Sequence, residues 1–131
     1  MKPNPVVHFE FAATDMNKMK KFYAEAFGWT YNQLGEDMGN YCVAMTSESD
    51  KNGPKLKGMI NGGFYNRPKD DKSLTPSVVI AVDDVDESLK RIREAGGKLM
   101  GEPMDIPGVG KFASFIDPEG YRHSILKPIM P

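Results

Sequence analysis

A shift of 69 positions, from His8 to Ser77, repeats the order of structural signals in this chain without a gap. It lays Ala12 on Ala81, Asp15 on Asp84, Met16 on Val85, Ala26 on Ala95 and Gly28 on Gly97. Identity along this register is low. Its weight comes from strand, cap, helix and glycine stop all agreeing at once, with three strand-like segments after each helix. Two helices cannot cover both faces of eight strands. Each half should therefore pack its helix on one sheet face and leave the other bare. The expected fold is α+β, with two βαβββ modules forming an open, cup-shaped mixed sheet. A single domain is expected over 1–131, with module 1 at about 5–66, a charged, proline-containing linker at 66–76 and module 2 at about 77–128.

The local patterns support this reading. Val6 to Ala12 alternates as a strand, with Val7, Phe9 and Phe11 on one face and His8 and Glu10 on the other. Thr14 or Asp15 can cap a helix whose stripe is Met16, Met19, Phe22, Tyr23, Ala26 and Phe27, and Gly28 can end it. Strands are expected at 29–34, 41–46 and 58–65, with a polar loop at 47–57. Inside the last of these strands, Gly62-Gly63 suggests a bulge or a close approach by another group. In the second half, 77–82 reads as a strand. Asp83 or Asp84 caps a helix burying Val85, Leu89, Ile92 and Ala95, and Gly96-Gly97 ends it. Short strands at 98–100, 111–116 and 121–127 follow, separated by the Pro-Gly-rich segment 101–110 and the turn Asp117-Pro118-Glu119-Gly120.

Composition excludes several classes of function. A formal net charge of -1 gives no electrostatic reason to bind nucleic acid or an anionic membrane. No apolar run approaches the roughly 20 residues that a bilayer requires. The lone Cys42 can form neither an internal disulfide nor a cysteine zinc site, which suggests a reducing, cytoplasmic setting. It sits mid-strand with no base beside it and is not expected to be a nucleophile. The nine methionines suit an adaptable core.

Val7-His8-Phe9-Glu10-Phe11, with Asp15, Phe22-Tyr23 and Phe27-Gly28-Trp29, resembles the opening of a vicinal-oxygen-chelate (glyoxalase/bleomycin-resistance) protein. Phe115-Ile116-Asp117-Pro118-Glu119-Gly120 is similar to the final hairpin of that superfamily. The resemblance spans roughly Val6 to Pro128. It implies the cup fold but no single reaction, because members include isomerases, epimerases, dioxygenases, fosfomycin-modifying enzymes and antibiotic binders. Metal-dependent members hold a divalent ion with a ligand from the first and last strand of each half. The resemblance puts His8 at the first of these positions, Ser77 at the matching one in the second half and Ser124 at the last. The remaining ligand should come from 58–65, where Asn61 is the only polar residue before Tyr65. A transition-metal site generally needs three or more imidazole, thiolate or carboxylate donors. No family-type metal site and no cofactor are therefore expected.

His8 and Glu10 are the candidate catalytic pair. On one strand face they could form a hydrogen-bonded dyad, with a histidine titrating near neutrality as general base. The plainer reading is that they orient each other and satisfy buried polar atoms. Trp29, Asn61, Ser77, Arg122 and Ser124 are candidate pocket residues. Trp29, with Tyr31 and Tyr41, could line an aromatic pocket or fill the core. Arg122 could grip a carboxylate or phosphate. His123 alternates with these last-strand residues and should face the helix as a structural histidine. The leading expectation is a homodimer that binds a small molecule without a family-type metal. The alternative is a lyase or isomerase acting on a small oxygenated metabolite through His8 and Glu10. An accessory protein whose cup is filled by its own side chains is the third reading.

Overall fold

A computed structural model of the protein describes residues 1–68 and 75–129. The central part of the expected linker, 69–74, lies outside the described residues. His8–Pro76 forms one compact unit, and Met1–Val7 with the chain from Ser77 onward forms the other. The first seven residues thus belong with the second half. The Ala81 amide donates to the Pro5 carbonyl at 2.9 Å, and Lys2 pairs with Asp83 at 3.2 Å.

The first half runs β1 (Val6–Ala13), α1 (Met16–Phe27), β2 (Thr30–Gln33), a 3-10 turn (Glu36–Met38), β3 (Cys42–Met45), a minimal hairpin of β4 (Ser49–Asp50) and β5 (Gly53–Pro54), and β6 (Asn61–Asn66). Its strands lie in the order β2-β3-β6-β1, with β1 and β6 parallel and the other neighbours antiparallel. Asp15 caps α1 by accepting from the Lys18 amide, and Gly28 ends it at φ 73, in the left-handed region where an L side chain is strained. The helix-side core is aromatic. Ala13, Cys42, Ala44 and Phe64 are buried, with Phe9, Phe11, Met16, Met19, Tyr23, Trp29 and Tyr31 packed against them. The expected α1 stripe is split: Met16, Met19 and Tyr23 pack on the core, while Phe22 and Phe27 are 56% and 65% exposed.

The second half runs β7 (Ser77–Ala81), α2 (Val85–Glu94), β8 (Lys98–Ile106), β9 (Gly110–Ile116) and β10 (Arg122–Pro128). These strands lie in the order β7-β10-β9-β8, again with one parallel pair, β7 with β10. Asp84 caps α2 through the Glu87 amide, as Asp15 does α1 through Lys18. The core here is aliphatic: Val82, Val85, Leu89, Ala113 and Ile125, joined by Ile80, Ile92, Leu99 and Phe115. Ala95 caps the helix and is exposed rather than buried. Segment 101–106 extends β8 instead of separating strands, since pairing with β9 resumes at Met104 after an irregularity that includes Gly101 at φ 67. Among the described residues no helix is long and apolar enough to cross a membrane.

Candidate functional site

Period-two alternation places His8 and Glu10 on the face of β1 opposite α1, since Phe9 and Phe11 between them enter the helix-side core. They do not bond to each other directly. The phenol of Tyr41, just before β3, sits between them. It donates to Glu10 Oε2 at 2.9 Å and lies 3.0 Å from His8 Nε2. Glu10 is buried and His8 half-buried.

Space for that phenol is made by Gly63. A Cβ added to Gly63 would overlap the Tyr41 ring, and one added to Gly62 would overlap the ring of Phe9 on the helix side. The two glycines therefore admit two aromatic rings on opposite faces of β6. They do not form a bulge, because β1 and β6 stay in register from His8–Asn61 through Ala13–Asn66. Tyr41, expected as a pocket or core aromatic, is instead the bridge between the two polar side chains of β1. The available signal was the paired glycine gap beside a strand carrying two polar residues.

Burial lowers the His8 pKa from 6.5 to about 4, so the imidazole is neutral at pH 7. This corrects the expectation of a histidine titrating near neutrality. Burial first, and then the neighbouring Glu10 carboxylate, push the Tyr41 phenol well above its ordinary range, so it keeps its proton.

The other candidates are placed differently. Trp29 lies in the helix-side core, stacked on Tyr23 at 4.6 Å, and so on the opposite sheet face from His8. A pocket role beside His8 is excluded for it. Asn61 is engaged at both ends, accepting from the Thr46 amide at 2.9 Å and donating to Ser49 Oγ at 2.8 Å. It ties β6 to the β4–β5 hairpin. In the second half Ser124 is fully buried, with its Oγ 3.1 Å from Ser114 Oγ, and Arg122 Nη2 donates to Ser114 at 3.3 Å. Ser77 Oγ is buried with no hydrogen-bond partner among the described residues. His123 faces the helix side, where its Nδ1 accepts the Val78 amide at 3.1 Å and its ring lies near Phe115. Cys42 is buried and burial raises its thiol pKa, so it is no poised nucleophile.

The strand registers also test the donor set that the resemblance implies. Glu10 pairs with Gly63, and Val79, its counterpart 69 positions on, pairs with Ser124. The first-half counterpart of Ser124 is therefore Gly63, which has no side chain, and not Asn61. Taken position by position, the set is one imidazole already engaged through Nε2, two serine hydroxyls and a glycine. Serine hydroxyls keep their protons near neutrality and are poor ligands for a divalent transition ion. These residues do not fit the family's metal.

The family model for the Glyoxalase/Bleomycin resistance protein/Dioxygenase superfamily matches residues 6–125. CFP32 of Mycobacterium tuberculosis, which bears a glyoxylase name, is 33% identical over 111 residues, covering 82% of this chain and 38% of CFP32. The anthracycline biosynthesis protein DnrV of Streptomyces peucetius is 28% identical over 128 residues, covering 94% of this chain and 46% of DnrV. The chain thus spans less than half the length of these relatives. A solved methylmalonyl-CoA epimerase, in complex with methylmalonyl-CoA and NH4+, aligns with a TM-score of 0.69 at 17% identity, covering 97% of this chain and 96% of the epimerase. A hypothetical protein, BH1468, from Bacillus halodurans aligns with a TM-score of 0.71 at 14% identity, covering 99% and 98% of the two chains. Those two likenesses concern the fold.

Proposed function

The chain belongs to the glyoxalase/bleomycin resistance protein/dioxygenase superfamily, and we propose that it binds a small organic molecule at the His8–Tyr41–Glu10 face without a family-type metal ion. The observation that carries this reading is the part-buried hydrogen-bonded chain of three polar side chains on a sheet face that its own helix leaves alone. Polar groups held out of water with fixed geometry are costly unless satisfied, and they confer directional recognition where a ligand meets them. The names of the relatives range from glyoxylase to anthracycline biosynthesis, so they point to no single ligand. Elemental analysis of protein kept clear of chelators, after gel filtration, tests the metal clause. Substoichiometric divalent metal is expected, and one retained ion per chain would refute the clause.

The second reading is a lyase or isomerase using His8 and Glu10 for proton transfer. Its support is the bridging phenol, through which a proton taken up at His8 could pass to Glu10. Against it stands the strength of the base. An imidazole with a pKa of about 4 is far weaker than one poised near the operating pH, where general bases work best. If the second reading holds, His8→Ala abolishes turnover of a substrate while the fold survives. Assembly as a homodimer in the cytoplasm completes the proposal. A monomeric mass in sedimentation would remove the first of these attributes.

A further inference from the structure

We infer that Tyr41 is a positioning residue that fixes the tautomer of His8, so that the site selects ligands offering an O–H or N–H donor to His8 Nδ1. The ligand class rests on the binding reading above; the positioning role does not. Few protons are available to this chain of side chains. A carboxylate only accepts, a phenol has one proton to give, and a neutral imidazole has one N–H and one bare nitrogen. Tyr41 spends its proton on Glu10 Oε2. The 3.0 Å contact with His8 can then be a hydrogen bond only if Nε2 carries the imidazole proton and donates to the phenol oxygen. Nδ1 is consequently the bare nitrogen, and among the described residues no hydrogen bond engages it. The imidazole stays neutral at pH 7, so this arrangement is the resting one.

Gly63 belongs to the device. Its missing side chain is the space that the phenol occupies, and a methyl group there would displace the ring. At the last-strand position of this half stands a glycine, and the space beside it holds the side chain of Tyr41, from the turn just before β3. That side chain holds the histidine instead of sharing an ion with it. A site built this way presents an acceptor, and a ligand that only accepts hydrogen bonds finds no partner at His8.

The test uses the whole chain, labelled with 15N, and reads both histidine rings through their long-range nitrogen–proton correlations. His123 serves as internal reference, because its Nδ1 accepts the Val78 amide and its proton must lie on Nε2. Wild-type His8 is expected to show the same pattern, with Nε2 protonated and Nδ1 bare. Tyr41→Phe and, independently, Gly63→Ala should each release it into a tautomer mixture. A wild-type His8 protonated on Nδ1 would overturn the proposal, as would a tautomer unmoved in both variants. Phenol and its methyl ether anisole then probe the ligand class as a matched pair with and without a donor. Phenol should shift the His8 nitrogen resonances and bind with a roughly five- to tenfold preference over anisole, the size of one net hydrogen bond. Equal binding of the two would refute donor selection. Silence from both, with the tautomer as expected, would refute the small-molecule reading and its ligand class and leave Tyr41 as the positioning residue.

Discussion

In the first half of the molecule, the strand that opens the unit carries His8 and Glu10 away from its helix. In the second half the matching strand carries Ser77 and Val79. Both helices are capped by an aspartate accepting from the amide three residues on, and both halves contain one parallel pair in corresponding register. Yet one core is a set of interlocking rings and the other is built mainly from branched aliphatic side chains. The backbone devices agree because each is set by local geometry that both halves need. The face turned away from the helix has no such obligation. There one half gathers an acid, a phenol and an imidazole, while the other gathers serine hydroxyls and the Arg122 guanidinium.

The largest expected effects lie in the cores. Phe64 is fully buried, and its ring centroid lies 5.7–6.3 Å from those of Phe11, Tyr23, Trp29 and Tyr31. Phe64→Ala removes a ring from a cluster of rigid neighbours that cannot collapse into the gap, and should cost about 4 kcal/mol. Ile125→Ala in the aliphatic core should cost about 3 kcal/mol, because smaller flexible neighbours relax further. Urea denaturation of the two variants checks the ranking. A costlier Ile125→Ala would show that the aromatic cluster is the looser of the two.

Acid should separate the halves next. Below pH 6.5 an unfolded chain protonates His8, while the folded chain resists until about pH 4. The unfolded state then binds more protons, so stability falls as pH drops through this window and levels off below it. The two pKa values differ by an amount worth about 3 kcal/mol at most. Ser77, the matching residue, has no titration to contribute. Denaturation midpoints between pH 7 and pH 4 should fall more steeply for wild type than for His8→Gln. Parallel curves would mean that the imidazole is better solvated than its burial implies.

The duplication, both aspartate caps, the Gly28 stop and the separation of His8 and Glu10 from Phe9 and Phe11 were all legible in the sequence. The caps, the stop and the alternation depend on spacings of four residues or fewer, and the duplication shows because those local signals recur in one register 69 positions on. The extension of β8 was not, because Pro103 and Gly101 read as breakers until a partner strand supplies a ladder that tolerates an irregularity. Nor was the Tyr41 bridge. It joins residues 31 and 33 positions apart, and it is signalled only by a glycine whose absent side chain says nothing about which ring will fill the space. The fate of Asn61 shows the same limit: its polarity was visible, but the Thr46 amide and Ser49 hydroxyl that consume it were not. The low pKa of His8 likewise follows from burial, which the carboxylate two residues away in sequence concealed.

The helix caps should differ least, because they are the feature that the halves share. Asp15→Ala and Asp84→Ala each remove a side-chain acceptor from a first-turn amide, which typically costs about 1 kcal/mol. The surroundings are unequal. The first turn of α2 also carries Asp86 and Glu87 and its last turn Arg91 and Arg93, charges that favour its two ends, whereas the first turn of α1 has no acidic residue and its last turn no basic one. The second helix should thus keep part of its end stabilisation when the cap is lost, and Asp15→Ala should be the costlier substitution by about 0.5 kcal/mol. Amide hydrogen exchange at Lys18 and Glu87 in the two variants measures this directly. Equal loss of protection would mean that the end charges of α2 are screened by solvent and that the two helices, unlike the sheet faces beneath them, have remained equivalent.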